Sequence, residues 1–365
     1  MSEEKRTPFY DKHVKLDAKI VNFAGFMMPI SYEGINAEHL QIRKNVGVFD
    51  VSHMGEFNVE GKNALEYLQM LTINDVSSLL DGQVQYTAMC YNDGGIVDDL
   101  LLYRFNENKF LMVVNGSNVE KDFKWAKDHL IKGVDLKNNS DQVGLLAIQG
   151  PNSLKTLQKL TDVNLQDIDF YHFTEGKLAG IDMIISRTGY TGELGFELYH
   201  EISDSEKLWD AIFEAGKEYN IKPVGLGARD TLRMEMKYCL YGNDIDKTTN
   251  PIEARLGWIT KLNCGDFIGK DAILKVKKEK PNRRLVIFKM KGRRIARHGY
   301  KIFIGDKEVG IVTSGTQSPS LKEGIGIGYV KRGHTKTGNE IDIDIRGKKY
   351  EAVIVKPPVV DSSPF

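Results

Sequence analysis

Two adjacent aspartates stand inside an otherwise apolar run, Ile96-Val97-Asp98-Asp99-Leu100-Leu101-Leu102-Tyr103, directly after Gly94-Gly95. Alternation along a strand sends neighbouring side chains to opposite faces, so the two carboxylates are expected to act separately and not as a dyad sharing a proton. On that geometry Asp99 shares its face with Val97, Leu101 and Tyr103. A carboxylate among apolar neighbours and near a phenol is costly to bury unless something pairs with it, and a basic nitrogen on a ligand is one such partner. The structural alternative is a strand-end aspartate that bonds turn amides.

Residues 187–197, Arg187-Thr188-Gly189-Tyr190-Thr191-Gly192-Glu193-Leu194-Gly195-Phe196-Glu197, hold three glycines, two aromatics and two acids. Such a stretch can present a ring for stacking and a carboxylate for the edge of a planar heterocycle, or it can simply lead into a strand. Gly225-Leu226-Gly227-Ala228-Arg229-Asp230-Thr231 opens a helical run, but the third glycine of a dinucleotide fingerprint would fall at Asp230. Nucleotide binding is therefore weakly indicated, and no G-x-x-x-x-G-K-[ST] phosphate loop occurs. None of the eight histidines lies in H-E-x-x-H or another close set of ligands, so no metal is expected. Ser52-His53 are neighbours whose side chains would point apart on a strand, and His53 is read as structural. Between positions 275 and 297 eleven Lys or Arg face a single acid, Glu279. That run is either a solvated linker or a landing patch for an acidic partner or an anionic ligand tail.

These residues need elements to hold them. Apolar spacing predicts helices over 36–46, 63–71, 121–130 and 205–219, with a strand at 56–59 and β-rich runs around Tyr86, Leu101 and Val113. Asn92-Asp93-Gly94-Gly95 marks a hairpin between the first two of those runs. Further apolar segments lie at 143–148, 154–160 and 181–186, without a strict β-α-β alternation, which predicts the α+β class. After Lys280-Pro281-Asn282 six short strands are expected at 285–290, 301–304, 310–314, 325–330, 341–345 and 350–355, a small all-β barrel or sandwich.

Composition bounds the class. A chain of 365 residues, 41% of them hydrophobic, suits a soluble globular protein of two or three domains. Fifty basic and fifty acidic residues cancel, so no global field favours nucleic acid or an anionic membrane, and neither is expected as a partner. Cys90, Cys239 and Cys264 are odd in number and widely spaced, which fits a reducing compartment. The first residues are polar, and no run approaches ~18 apolar residues. A cytoplasmic, unanchored protein is the expectation.

Taken in order, Phe23-Ala24-Gly25, Met28-Pro29, residues 49–56 (Phe-Asp-Val-Ser-His-Met-Gly-Glu), Tyr86-Thr87-Ala88-Met89, residues 94–100, Val114-Asn115, Gln149-Gly150-Pro151, residues 187–197, residues 225–233, Leu240-Tyr241-Gly242, Pro251-Ile252-Glu253-Ala254 and Gly315-Thr316-Gln317-Ser318-Pro319 span nearly the whole chain. Together they resemble the aminomethyltransferase, or T-protein, family of the glycine cleavage system. The resemblance implies a three-lobed fold, with two α+β lobes around a folate tunnel (1–275) and a C-terminal β-barrel (276–365). It also implies transfer of a one-carbon unit from the aminomethylated lipoyl arm of an H-protein to tetrahydrofolate, with release of ammonia.

By the same resemblance Asp99 is the essential carboxylate, Glu197 recognises the pterin amino edge, and Tyr190 and Tyr103 wall the ring. Tyr86, Met54 and Asn115 line the pocket, and Arg229 is an arginine suited to orienting a carboxylate or the incoming arm. Some positions depart from the pattern. Phe26 stands where the family often has Trp, and the tail ending in Phe365 differs from the usual aromatic or basic one. Residues 237–244, Lys-Tyr-Cys-Leu-Tyr-Gly-Asn-Asp, partly overlap the K-G-C-x-x-G-Q-E signature of folate-binding relatives linked to iron–sulfur cluster maintenance, but keep the transferase-like Leu-Tyr-Gly. Cys239 is accordingly read as a packed small residue. A folate-dependent demethylase and a non-catalytic folate-binding module are the alternative readings.

Overall fold

Strands with one apolar face must bury it, and here two sheets do so against each other. The computed structural model describes residues 4–361. One sheet has six strands, in the order Phe173–Leu178, Ile181–Ser186, Gly195–Glu201, Val143–Gln149, Gly47–Asp50 and Lys222–Pro223; the other has five, in the order Val84–Cys90, Ile96–Asn106, Lys109–Val114, Gly55–Glu60 and Asp135–Asn138. Between them lies a shared core that includes Phe49, Val51, Tyr103, Val113, Leu145 and Tyr199, closed by Ala228 and Leu232 of the helix Leu226–Met236.

Helices cover the outer faces. Ser205–Ala215 buries Leu208, Trp209 and Ile212 against the six-stranded sheet, and Ala64–Leu71 and Val119–Asp128 cover the five-stranded one. The expected single helix over 205–219 is interrupted at Gly216, where an added Cβ would lie 2.6 Å from the Ile221 side chain. The chain then makes a short turn, Lys217–Tyr219, and Asn220 takes a left-handed conformation at φ 51°.

The six expected C-terminal strands form a closed barrel, with Arg283–Met290 and Glu323–Lys331 as neighbours and Lys301–Ile304 paired to Lys307–Ser318. Period-two alternation places Val286, Phe288, Ile302, Val312 and Ile343 inside it. The expected division after residue 275 falls within a helix, Lys270–Glu279, and the first barrel strand begins at Arg283. The basic run therefore is not a loose linker: it forms the second half of that helix, the strand Arg283–Met290 and the loop beyond.

Two networks rivet the barrel to the helix Leu226–Met236. Arg233 donates to Asp244 at 2.5 Å and to the Ser314 hydroxyl at 3.0 Å, while Asp244 accepts from Thr313 at 2.5 Å. Two residues on, Glu235 accepts from Arg43 at 2.7 Å and from the Ser320 hydroxyl at 3.0 Å. The same helix thus presents Arg229 inward and holds the barrel with its last turns.

The N-terminal segment adds a three-stranded sheet, Lys5–Arg6, Phe26–Ser31 and Lys19–Phe23, which the sequence pattern did not suggest. It is pinned by Asp50, whose Oδ2 accepts from the Thr7 hydroxyl at 2.6 Å and meets His13 Nε2 at 2.8 Å, all three residues being buried. Burial alone would raise the Asp50 carboxyl, but the hydrogen bond and charge of His13, with Thr7 and Ser52, outweigh it and lower it. Asp50→Ala breaks this buried pair and is expected to cost about 3–5 kcal/mol in denaturant unfolding. A loss below about 1 kcal/mol would mean that the pair does not anchor the segment.

Candidate active site

A cavity of about 1510 Å³ opens between the inner faces of the two sheets, under the helix Leu226–Met236 and against the loop that follows it. Of the residues singled out from the sequence, Met54, Tyr86, Asp99, Asn115, Tyr190, Glu197 and Arg229 line it. Tyr103 does not. It is fully buried behind the wall, and its hydroxyl meets that of Tyr199 at 2.8 Å. Tyr199 takes the lining position instead, two residues beyond Glu197 on the same strand and so on the same face.

Asp99 is held from both sides. Tyr86 donates its hydroxyl to Oδ2 at 2.8 Å, and Asn115 donates its side-chain amide to Oδ1 at 3.0 Å. Burial, the largest cause, pushes the Asp99 carboxyl up to about 7, while the hydrogen bonds from Tyr86 and Asn115 oppose that shift. Near neutral pH this group is therefore poised to exchange a proton. Tyr86 is in turn stacked on Trp258 at 6.0 Å between centroids and 29° between planes, with Trp258 64% exposed at the cavity mouth.

The expected face of Asp99 needs one correction. Pairing passes from Asp98 opposite Met89 to Ile96 opposite Cys90, so Val97 is an extra residue in its strand. Val97 packs with Leu100 and Leu102 under the helices, not beside Asp99. Nor are the two aspartates independent: the Asn115 amide donates to Asp98 Oδ1 at 2.9 Å as well as to Asp99.

On the facing sheet, Glu197 Oε2 accepts from the Thr188 hydroxyl at 2.5 Å. Burial raises the Glu197 carboxyl, with Thr188 and Arg229 pulling the other way. The Arg229 guanidinium sits 4.5 Å over the Tyr190 ring, and that ring stacks on Tyr238 at 5.6 Å. The Tyr190 hydroxyl bonds the Cys239 carbonyl oxygen. Together these place a flat aromatic wall, a cation and two carboxyl groups around one space, which suits a planar, nitrogen-rich ligand.

The Gly225-Leu226-Gly227 turn serves packing and not phosphate binding. A Cβ at Gly225 would lie 2.4 Å from the Ile30 carbonyl, and one at Gly227 2.7 Å from the Ile35 side chain. His53, read as structural, also reaches the cavity wall, and its Nδ1 has no hydrogen-bond partner among the described residues. Burial and the Arg229 charge hold its ring down at about 4, so it is neutral. The Cys239 thiol is buried and pushed up to about 12 by burial, which keeps it protonated and a poor nucleophile. Phe365 lies outside the described residues, and among the described residues no group of three or more His, Cys, Asp or Glu could hold a metal ion.

Comparison with known proteins agrees along the whole chain. Residues 9–264 match the model of the GCVT N-terminal domain, and residues 283–361 match that of the glycine cleavage T-protein C-terminal barrel domain. An aminomethyltransferase of Bacteroides fragilis is 56% identical over 358 residues, 97% of this chain and 99% of that protein. One from Halothermothrix orenii is 51% identical over 356 residues, 98% of this chain and 100% of its own. The crystal structure of the glycine cleavage system aminomethyltransferase T from Bartonella henselae superposes with a TM-score of 0.93 at 34% identity, covering 99% of both chains.

Proposed function

The chain belongs to the aminomethyltransferase, or T-protein, family of the glycine cleavage system, a family of folate-dependent transferases, and on that premise we propose that its cavity takes tetrahydrofolate as acceptor and receives the one-carbon unit from the lipoyl arm of an H-protein. The observation that supports this most is the Asp99 carboxyl, fixed by Tyr86 and Asn115 at the wall of a large aromatic-lined cavity. When bound, tetrahydrofolate supplies two nitrogens that take the carbon: a carbon–sulfur and a carbon–nitrogen bond are lost, two carbon–nitrogen bonds form, and two protons pass to the dihydrolipoyl sulfur and to the departing ammonia.

In this reading the ionised Asp99 accepts a hydrogen bond or a proton from the attacking nitrogen and so raises its nucleophilicity. Glu197 bonds the amino edge of the pterin, Tyr190 packs against its face, and Met54 fills the remaining wall. Arg229 orients a carboxylate or the arriving arm from its place above Tyr190. Asn115 and Tyr86 keep the Asp99 carboxyl in one orientation.

The test is ammonia release from aminomethylated H-protein with and without tetrahydrofolate. Stoichiometric ammonia and methylenetetrahydrofolate are expected only when both are present. Folate binding without either product would favour a non-catalytic folate-binding module. No helix among the described residues is long and apolar enough to cross a membrane.

The carrier is proposed to dock through the basic loop that ends at the cavity rim, where Arg293 and Arg294 are exposed and Ile295 and Arg297 reach the mouth. Charge reversal at Arg293 and Arg294 is expected to raise the KM for H-protein about tenfold at low ionic strength, and the effect should fade with salt. An unchanged KM would assign the loop to barrel packing alone, where Arg294 already stacks on Tyr350 at 5.2 Å.

A further inference from the structure

Behind Asp99, on the far side of its strand, lies a second pair of carboxyls that substrate cannot reach. Asp98 and Asp122 are both 0% exposed. Asp98 Oδ1 accepts from the amides of Asn115 at 2.9 Å and Asn118 at 2.7 Å, and its Oδ2 accepts the Asn115 backbone N–H at 3.1 Å. Asp122 Oδ1 accepts from Lys121 at 2.6 Å, but Asp122 Oδ2 is buried and has no N–H or O–H donor among the described residues. The Asp122 and Asp98 carboxyls lie within hydrogen-bonding reach of each other. Two buried carboxylates in contact with nothing between them would repel strongly, and one orphaned oxygen would remain. A single proton between them removes both problems.

We propose that Asp98 and Asp122 share one proton, with Asp98 as the donor, and that this pair, acting through Asn115, is a positioning device that sets the orientation and the proton affinity of Asp99. The Lys121 ammonium on Asp122 Oδ1 favours the negative charge at Asp122, the member farther along the network from Asp99. Burial and the charge of Asp122 both raise the Asp98 carboxyl, in keeping with a protonated Asp98. The other groups facing the pair are Asp99 and Tyr241, with Tyr86 beyond Asp99 and Asp246 beyond Tyr241. Lys121 closes the cluster from the surface, its ammonium 4.9 Å over the Tyr241 ring. Asn115 is the link: one amide holds an oxygen of each aspartate, so the charge carried by Asp98 is felt directly by Asp99.

This inference rests on the reading of Asp99 as the catalytic carboxylate, and its test separates the two. In Asp122→Asn the new amide donates to Asp98, so the proton leaves the pair and the negative charge moves to Asp98, next to Asp99. The midpoint of the acid limb of kcat/KM against pH should then rise by about one unit, a tenfold lower rate at fixed pH on that limb that recovers at higher pH. Asp98→Asn keeps a neutral donor at that place and should leave the midpoint where it is. A purely structural role would lower the rate at all pH values without moving the midpoint. Independently of activity, infrared difference spectra at about pH 9 should show one protonated-carboxyl C=O band lost in Asp98→Asn. An unmoved midpoint in a cooperatively unfolding Asp122→Asn, or no band lost in Asp98→Asn, would overturn the proposal. Should Asp122→Asn fail to fold, the infrared result alone decides. If instead the band is lost as expected but Asp99→Asn turns over normally, the shared proton stands and the catalytic reading of Asp99 falls.

Discussion

Asp99→Asn is expected to fold, to bind tetrahydrofolate and to lose about a hundred- to ten-thousand-fold in kcat. Tyr86 and Asn115 still find an amide of the same shape at that position, so the wall of the cavity is kept while the proton acceptor is removed. The wild-type kcat/KM should fall tenfold per unit below about pH 7, where Asp99 becomes protonated. The variant should lose that limb. Stability should move the opposite way. Asp99 is raised to about 7 in the folded protein, against about 3.9 when unfolded, so the folded form binds the extra proton and stability falls as pH rises through that window. At pH above about 7 the variant should therefore be more stable than the parent by about 1–3 kcal/mol, and the gap should close below about pH 4. Loss of activity together with loss of stability would point to a structural role for Asp99.

Glu197→Gln is expected to weaken tetrahydrofolate binding about ten- to a hundredfold in titration calorimetry, with a smaller effect on the KM for H-protein. A charged or proton-bearing acceptor that bonds two donors of a buried ligand is worth about 1.5–3 kcal/mol, and an amide presents one donor where the ligand offers its own. Thr188 would keep its bond to the side-chain oxygen, so the position remains packed. Equal affinity in the variant would remove Glu197 from ligand recognition and leave it as the partner of Thr188.

Much of the fold was legible because it follows from alternation and turns. The barrel strands have apolar residues at period two between Gly, Asp and Lys turns, and all six appear. The helix Ile35–Lys44 and the strand carrying Asp99 were visible for the same kind of reason. The failures come from features that alternation does not encode. A one-residue bulge at Val97 reverses faces upstream of the aspartates, and nothing in Ile96-Val97-Asp98-Asp99 announces it.

Tyr103 has the face expected of it but lies deeper than the cavity, because depth depends on the second sheet and Tyr199 stands in front. Tyr199 itself could have been found by counting two residues on from Glu197. Trp258 had no such signal, and His53 was singled out only to be read as structural; long-range packing brings both to the wall. The linker alternative for the basic run fails, and the helix was missed because Lys270–Glu279 buries Ile273 alone among its residues, too few for an apolar stripe.

The two networks at Arg233 and Glu235 bear on the cavity through the helix that carries them. They fix the helix that carries Arg229, and through it the distance between the facing walls.

The most direct measurement is a crystal structure of the protein soaked with tetrahydrofolate or a stable reduced analogue. The expected result is the pterin between Tyr190 and the opposite wall, Glu197 on its amino edge, and an Asp99 oxygen within hydrogen-bonding distance of a nitrogen that receives the carbon. A folate seated elsewhere, or an Asp99 side chain turned towards bulk water with the ligand in place, would contradict it.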